Sequence, residues 1–263
     1  MKCLICGENK NIVPFLKKGE FIYFKCRNCS FIFQNLENRS SVLQEVYNTK
    51  ENFSSYFNNY KTYVTHFIRI LKTIERFKKT GKILDIGSGI GLFLYIAKIR
   101  NWQEYGIEIS NFASNFALKK LKLNVSNTNN LSTFPDNYFD VIILNHVLEH
   151  IETPLVILNS VEKKLKGDGL LFIGVPNIYG ILPKFMKDDW NLLQPYQHIY
   201  QFTPKSLKLL LRKFGFKPVN LHTENRVFGF KINFLNFILN TFLNPIINGL
   251  KVGEAMEAVF IKE

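Results

Sequence analysis

Hydrophobic positions change period several times along this chain, and the changes mark out its elements. Before residue 40, "FIYFKC" alternates as a strand and "SFIFQN" continues as another after a short interruption. Residues 40–79 read as helical, with "SVLQEVYNTK" a short helix and "YKTYVTHFIRILKTIERFKK" a longer one. In the longer helix Tyr63, Phe67, Ile70, Leu71, Ile74 and Phe77 recur at i, i+3, i+4 spacing, and Gly81 is expected to end it. His66 lies beside that stripe and reads as a structural histidine.

From Lys82 onward, short apolar runs alternate with amphipathic stretches. "KILDIG", "EYGIEI", "LNVSN", "FDVIILN", "GLLFIGV", "KPVNLH" and "AMEAVFIK" read as strands. "LFLYIAKIRN", "NFASNFALKKL", "TPLVILNSVEKKLK" and "PKSLKLLLRKFG" read as the helices between them. Alternation at this spacing predicts an α/β, doubly wound, mostly parallel sheet with helices on both faces. The last two strands, separated by a long insertion, suggest a hairpin-like closing edge. The predicted organisation is a small module at 1–40, a helical linker or lid at 41–80, and an α/β domain at 81–263. Residues 226–250, "RVFGFKINFLNFILNTFLNPIINGL", form an apolar insertion in that domain: core helices, a lid over a hydrophobic substrate, or an interfacial contact.

Composition adds less. With 263 residues, 46% hydrophobic and 21% charged, the chain is an ordinary globular one, long enough for one large domain and an appendage. A formal charge of +13 admits an anionic partner, but the lysines run from Lys2 to Lys262 without a dense cluster. The opening "MKCLICGENK" has no apolar signal region, and no 18-residue apolar window occurs, so a cytoplasmic protein is expected.

The four cysteines carry the first chemistry. Cys3-x2-Cys6 and Cys26-x2-Cys29, 19 residues apart, can form two knuckles whose four thiolates suit structural Zn2+. Gly7 stands where a knuckle turn needs a permissive backbone. Four sulfurs close the coordination shell, so this metal stabilises rather than catalyses.

The second constellation is "ILDIGSGIG". Asp85, Gly87, Gly89 and Gly91 occupy a strand-to-helix turn, where bare backbone can approach a ligand. A dinucleotide fingerprint needs a glycine three after Gly89, and Leu92 stands there. Glu108 follows at the end of the second strand, 17 positions after Gly91. This D-x-G-x-G-x-G loop with its acidic follower, then "FPDNYFDVIILNHVLEHI", "LKGDGLLFIGVPN" and "HIYQFTPKSLKLLLRKFGF", resembles the class I S-adenosylmethionine-dependent methyltransferases over residues 80–263. The resemblance implies a Rossmann-like sheet and S-adenosylmethionine. Asp85, Gly87, Ser88, Gly89 and Gly91 would line its methionine end, Glu108 would hold the ribose and Ile109 would lie against adenine. An acid usually faces the adenine amine. Here Asn127, Thr128 and Asn129 occupy the segment, with Asn129 taken as the candidate. Asn145 joins the cofactor residues at the end of the fourth strand.

"HVLEH", residues 146–150, matches an inverted zinc-peptidase string. Thr153-Pro154 interrupts the helix that such a site needs, so the string reads instead as the strand end, with His146 at the crevice. His146 and His198 are the candidate catalytic bases, His198 on the substrate side. His222 reads as structural. The acceptor is expected to be a small molecule: a sugar, glycan or lipid-linked intermediate. The alternative is RNA gripped by the cysteine module. A four-cysteine ribbon ahead of such a domain resembles natural-product sugar C-methyltransferases, and the absence of an (Asn/Asp)-Pro-Pro-(Tyr/Phe) string argues against a DNA amine.

Overall fold

The computed structural model describes residues 1–35, 53–224 and 244–263. The expected helix at 41–50 and most of the insertion at 226–250 lie outside the described residues. By contacts the chain forms two compact units. One comprises Met1–Arg39, Leu148–Glu152 and Gly174–Ala258; the other comprises Ser40–Val147, Thr153–Ile173 and Val259–Glu263.

A seven-stranded, mostly parallel sheet runs through the fold. Its strands are β4 (Lys82–Ile86), β5 (Gln103–Ile107), β6 (Val125–Ser126), β7 (Phe139–Asn145), β8 (Leu165–Pro176), β10 (Phe216–Glu224) and β11 (Ala255–Lys262), in the order β10-β11-β8-β7-β4-β5-β6. β4 lies between β5 and β7 and pairs parallel with both. The chain therefore steps outward from β4 to β5 and β6, then returns to the other side of β4. That reversal opens a crevice at the carboxyl ends of β4 and β7, where doubly wound sheets bind ligands. Ile83, Leu84, Val141 and Ile142 are fully buried, as expected for central parallel strands that pack helices on both faces.

Around these strands lie α1 (Ser54–Asn58), α2 (Tyr60–Ile74), α3 (Leu92–Ile99), α4 (Asn111–Lys119) and α5 (Pro154–Lys164). The starts of α4 and α5 have local causes. Ser110 caps α4 by accepting from the Ala113 amide, and Pro154 supplies the preset φ of a first helical residue. The α2 stripe buries Phe67, Ile70, Leu71 and Ile74. Phe77 does not belong to it: the helix ends at Ile74, and Phe77 is exposed in the following turn. Nor does Gly81 end the helix. It stands at the entry to β4 with φ +142°, where a Cβ would lie 2.5 Å from the Asp140 carboxylate that accepts the Lys82 amide.

The N-terminal unit begins with a three-stranded antiparallel ribbon, β1 (Ile12–Lys18), β2 (Phe21–Cys26) and β3 (Ile32–Gln34). β1 escapes a sequence reading because Pro14 interrupts it. The pairing absorbs the break as a bulge, with Phe15 extruded between Pro14↔Phe24 and Leu16↔Tyr23. β3 then pairs with β9 (Tyr200–Gln201), which ties the ribbon to the segment after β8. Tyr23, Ile32, Ile178, Trp190 and Leu193 form the core here. A six-residue helix, α6 (Ile181–Met186), and α7 (Pro204–Arg212) complete the unit with α8 (Asn244–Leu250). Pro204 and a capping box between Thr203 and Ser206 set the start of α7.

The two cysteine knuckles are near copies. The Gly7 amide donates to the Cys3 carbonyl and the Ser30 amide to the Cys26 carbonyl, both at 2.9 Å. The residue after each second cysteine is left-handed, at φ +75° for Gly7 and +62° for Ser30. An L side chain is strained in that conformation and glycine is not. Ser30→Gly should therefore stabilise the ribbon by about 0.5–1 kcal/mol, roughly 2 °C in a thermal melt, and Gly7→Ala should do the reverse.

Candidate functional site

The crevice between β4 and β7 is lined by Tyr56, Phe67, Ile70, Asp85, Gly87, Ser88, Leu92, Phe93, Ile143 and Asn145. Asp85, Gly87, Ser88 and Asn145 are identifiable from sequence. The aromatic wall is not, because its members read as helix core or as ordinary loop. Phe53 and Tyr56 lie over the glycine loop: a Cβ on Gly89 would sit 3.6 Å from the Tyr56 hydroxyl and 3.7 Å from the Phe53 ring. Tyr56 stacks on Tyr63 with ring centroids 4.4 Å apart. Its hydroxyl is pushed well above the ordinary tyrosine range by burial, with Tyr63, Asp85 and Glu108 adding to the rise.

Gly87 is required twice over. Its φ is +73°, and a Cβ would lie 2.6 Å from a Val147 methyl. Gly89 and Gly91 are also left-handed, and Gly91 stands at the N-cap of α3. Together they turn the chain sharply from strand to helix, with the Gly87 and Ser88 amides donating to the Ile107 carbonyl and the Gly91 amide to the Ser88 carbonyl.

Glu108 follows β5 and anchors this turn. Its carboxylate accepts from the Gly89 amide through Oε2 and from the Ser110 amide through Oε1, both at 2.8 Å. Burial raises its pKa, and those amide bonds oppose the rise. Asp85 is buried, with its pKa raised well above the carboxylate range, first by burial and then by the charge of Glu108. Two buried carboxylates side by side make a site that favours a cationic ligand.

Two polar atoms in the same pocket are buried without a hydrogen-bond partner: Ser88 Oγ and Asn145 Oδ1. Buried polar groups are rarely left unsatisfied, so both atoms fit the surface of a polar ligand. Ile109 is partly exposed beside Glu108. Asn127 donates its amide to the Glu108 and Ile109 carbonyls at 2.9 and 3.0 Å, which holds it beside the end of β5. Asn129 is exposed, two residues further along.

His146 directly follows β7, half-buried and left-handed at φ +56°. Residues 146–150 form a bend and turn, and α5 begins only at Pro154, so no helix carries both histidines of "HVLEH". His198 is buried in the other unit, with Nδ1 2.7 Å from the Leu192 carbonyl. The ribbon fixes its backbone: the Tyr23 hydroxyl donates to the His198 carbonyl at 2.7 Å, and the Gln34 amide donates to the Pro195 and His198 carbonyls. His222 lies 3.5 Å from the Glu224 carboxylate.

The cysteines converge. Cys3 and Cys29 sulfurs are 3.5 Å apart, as are those of Cys6 and Cys26, and all four lie within 4.8 Å of one another. Hydrogen bonding from Cys29 holds the Cys3 thiol down at about 5, and the same contact raises Cys29. A tetrahedral zinc–thiolate centre with bonds of about 2.3 Å spaces its sulfurs by roughly 3.8 Å, so the donor set and spacing fit zinc.

A doubly wound sheet with this glycine turn, an acidic strand end and a cation-favouring pocket defines the class I S-adenosylmethionine-dependent methyltransferases. The chain belongs to the methyltransferase-domain family, whose profile matches residues 59–221. An uncharacterised protein of Methanocaldococcus jannaschii is 26% identical over 150 residues, 57% of this chain and 71% of that protein. Among solved structures, an S-adenosylmethionine-dependent methyltransferase from Archaeoglobus fulgidus superposes with a TM-score of 0.56 at 22% identity, covering 75% of this chain and 93% of its own. The Burkholderia thailandensis 1,6-didemethyltoxoflavin N1-methyltransferase, solved with that acceptor and S-adenosylhomocysteine, gives 0.57 at 13% identity, covering 95% and 98%.

The raised pKa of Asp85 has a consequence for stability. The folded state binds its proton more tightly than the unfolded chain, so its contribution to stability falls as pH rises from about 4 toward the raised value. Asp85→Asn should raise the melting temperature of the cofactor-free protein, increasingly so toward neutral pH. The same substitution should weaken S-adenosylmethionine binding by about ten- to hundredfold, the worth of a charge-assisted contact. Melts across pH and titration calorimetry check both.

Proposed function

We propose that this enzyme methylates a small-molecule acceptor of the sugar, glycan or lipid-linked class. The observation that carries the cofactor half is the pocket itself: buried Asp85 lines it under the influence of the Glu108 charge, with Ser88 Oγ and Asn145 Oδ1 unsatisfied in the same wall. Asp85 faces the charged methionine end, and Glu108 retains acceptor capacity for ribose hydroxyls beyond its two amide bonds. The bound sulfonium supplies an electrophilic methyl group. The protein's share is to hold the acceptor in line with it and keep water out, which Tyr56, Phe67 and Phe93 support by walling the crevice with rings. His146 and His198 are the proposed acceptor-side residues, taking a proton if an oxygen or activated carbon is methylated.

Zinc is assigned to Cys3, Cys6, Cys26 and Cys29 as a structural ion. Its work in this reading is to brace the ribbon that holds the His198 loop through Tyr23 and Gln34. Cobalt-substituted protein should show thiolate-to-metal charge transfer, and Cys26→Ser should weaken it and lower the melting temperature.

Two ribbon lysines and two lysines from the α7 region favour a small acceptor over RNA. Lys18 and Lys25 of the ribbon donate to the Leu193 carbonyl and the Tyr179 hydroxyl, and Lys205 and Lys213 reach the Asn28 and Leu4 carbonyls. Side chains engaged in this way are poor phosphate grips. Among the described residues no helix is long and apolar enough to cross a membrane, and a lipid-linked acceptor would be met at an interface. Binding assays with RNA at low salt should show no strongly salt-dependent complex. A steep loss of affinity with added salt would transfer the assignment to RNA.

A further inference from the structure

We infer a second metal site, for a divalent transition ion with imidazole–carboxylate preference, at Glu149, His150 and His198. It does not rest on the cofactor pocket or on the thiolate cluster, and an ion held here engages His198 Nε2 and leaves His146 as the acceptor-side base.

The three residues come from two segments of one unit, and the backbone locks those segments together. The Glu149 carbonyl accepts from the Ile199 amide at 2.9 Å and the Tyr200 amide at 3.2 Å, and the Tyr200 hydroxyl donates to the Glu152 carbonyl. His198 is fixed further by its own amide, which donates to the Gln194 carbonyl. One ligand atom from each of Glu149, His150 and His198 lies within 4.8 Å of the others. The two imidazole rings meet edge to face with centroids 4.7 Å apart.

The tautomers are set by the same scaffold. His150 Nδ1 lies 3.1 Å from the Gln197 carbonyl and His198 Nδ1 2.7 Å from the Leu192 carbonyl. A carbonyl only accepts, so each Nδ1 carries the hydrogen and each Nε2 is the atom presented to the cluster. Metal-binding histidines are held in this way, by donating the second ring nitrogen to a backbone carbonyl. Glu149 is fully buried, and its Oε1 stands 3.9 Å from His150 Nε2, beyond hydrogen-bond length.

Two nitrogens and one oxygen suit Zn2+ best, and Mn2+, Fe2+ or Co2+ in turn, while Mg2+ and Ca2+ prefer all-oxygen shells. Bonds of about 2.0–2.2 Å would draw the three ligand atoms, now within 4.8 Å of one another, to roughly 3.3 Å apart. Three protein ligands leave a coordination position for water or a hydroxyl, whose proton the ion makes more acidic. The cysteine cluster has no such position. "HVLEH" thus contributes Glu149 and His150, without His146, and the third ligand arrives 48 residues after His150.

The test is zinc stoichiometry by equilibrium dialysis on the full chain, with Co2+ as the optical probe. The wild type should bind two Zn2+ per chain. His150→Ala, His198→Ala and Glu149→Gln should each bind one, with affinity for the second lowered at least a hundredfold. The thiolate-to-Co2+ charge-transfer bands should survive in these variants and report that the ribbon is folded. If His198→Ala loses those bands, His150→Asn, at a less buried position, decides the matter, and Zn2+ should shift the His150 and His198 ring resonances of the wild-type protein. A wild type that binds one Zn2+, or a second Zn2+ indifferent to all these substitutions, overturns the site. The cluster is then a packing feature of the loop. Titration of S-adenosylmethionine alongside tells this outcome apart from any failure of the cofactor pocket.

Discussion

The proposed cofactor pocket depends on two buried carboxylates, Asp85 and Glu108, that sense each other's charge at the point where the sheet reverses direction. Burying one carboxylate is unfavourable, and burying a second beside it compounds the penalty. Glu108 offsets part of it through the Gly89 and Ser110 amides, and those two bonds fix the glycine turn and the start of α4. Asp85 has no comparable pair of amides, and its proton affinity rises accordingly. A cationic ligand beside the two carboxylates would lower the cost of keeping both ionised.

The N-terminal ribbon is built on the opposite plan, with its polar groups engaged by the chain around them. Its third strand pairs with β9, its tyrosine and glutamine hold the His198 carbonyl, and Lys18 bonds to a neighbouring carbonyl. A free-standing module would leave such groups to solvent. The division of the chain by contacts groups residues 1–39 with 174–258, which fits a ribbon acting as a brace for the segment after β8. A brace must be rigid, and the proposed four-thiolate metal centre would provide rigidity where a ribbon this short has little core of its own.

Much of this architecture is legible from sequence, for definable reasons. β4, β7 and β11 are mostly apolar because strands inside the sheet bury both faces, and their limits read closely from the chain. The glycine loop and Glu108 are legible because few residues satisfy a left-handed turn or a bidentate acceptor. β1 and β9 are not: a proline with a compensating bulge hides one, and the other exists only because β3 lies beside it. Tyr56 and Phe67 carry a similar ambiguity. An aromatic at helical spacing has one appearance whether it faces core or ligand, and tertiary packing alone decides. Gly81 misleads for a related reason, since its freedom serves an approach by Asp140 rather than a helix end.

"HVLEH" shows how backbone conformation divides a motif that spacing would unite. A metal-binding helix presents positions i and i+4 on one face, and that geometry needs α-helical residues throughout. Here His146 is left-handed, the next residues form a turn, and the boundary between the two compact units falls between Val147 and Leu148. His146 therefore stays with the strand end, while Glu149 and His150 join the loop that the ribbon braces. The string is not one site interrupted but two elements that happen to be adjacent in sequence. Chemistry assigned to either half has to be argued from its own neighbours: Asn145 and Gly87 for the first, His198 and its carbonyl-fixed tautomer for the second.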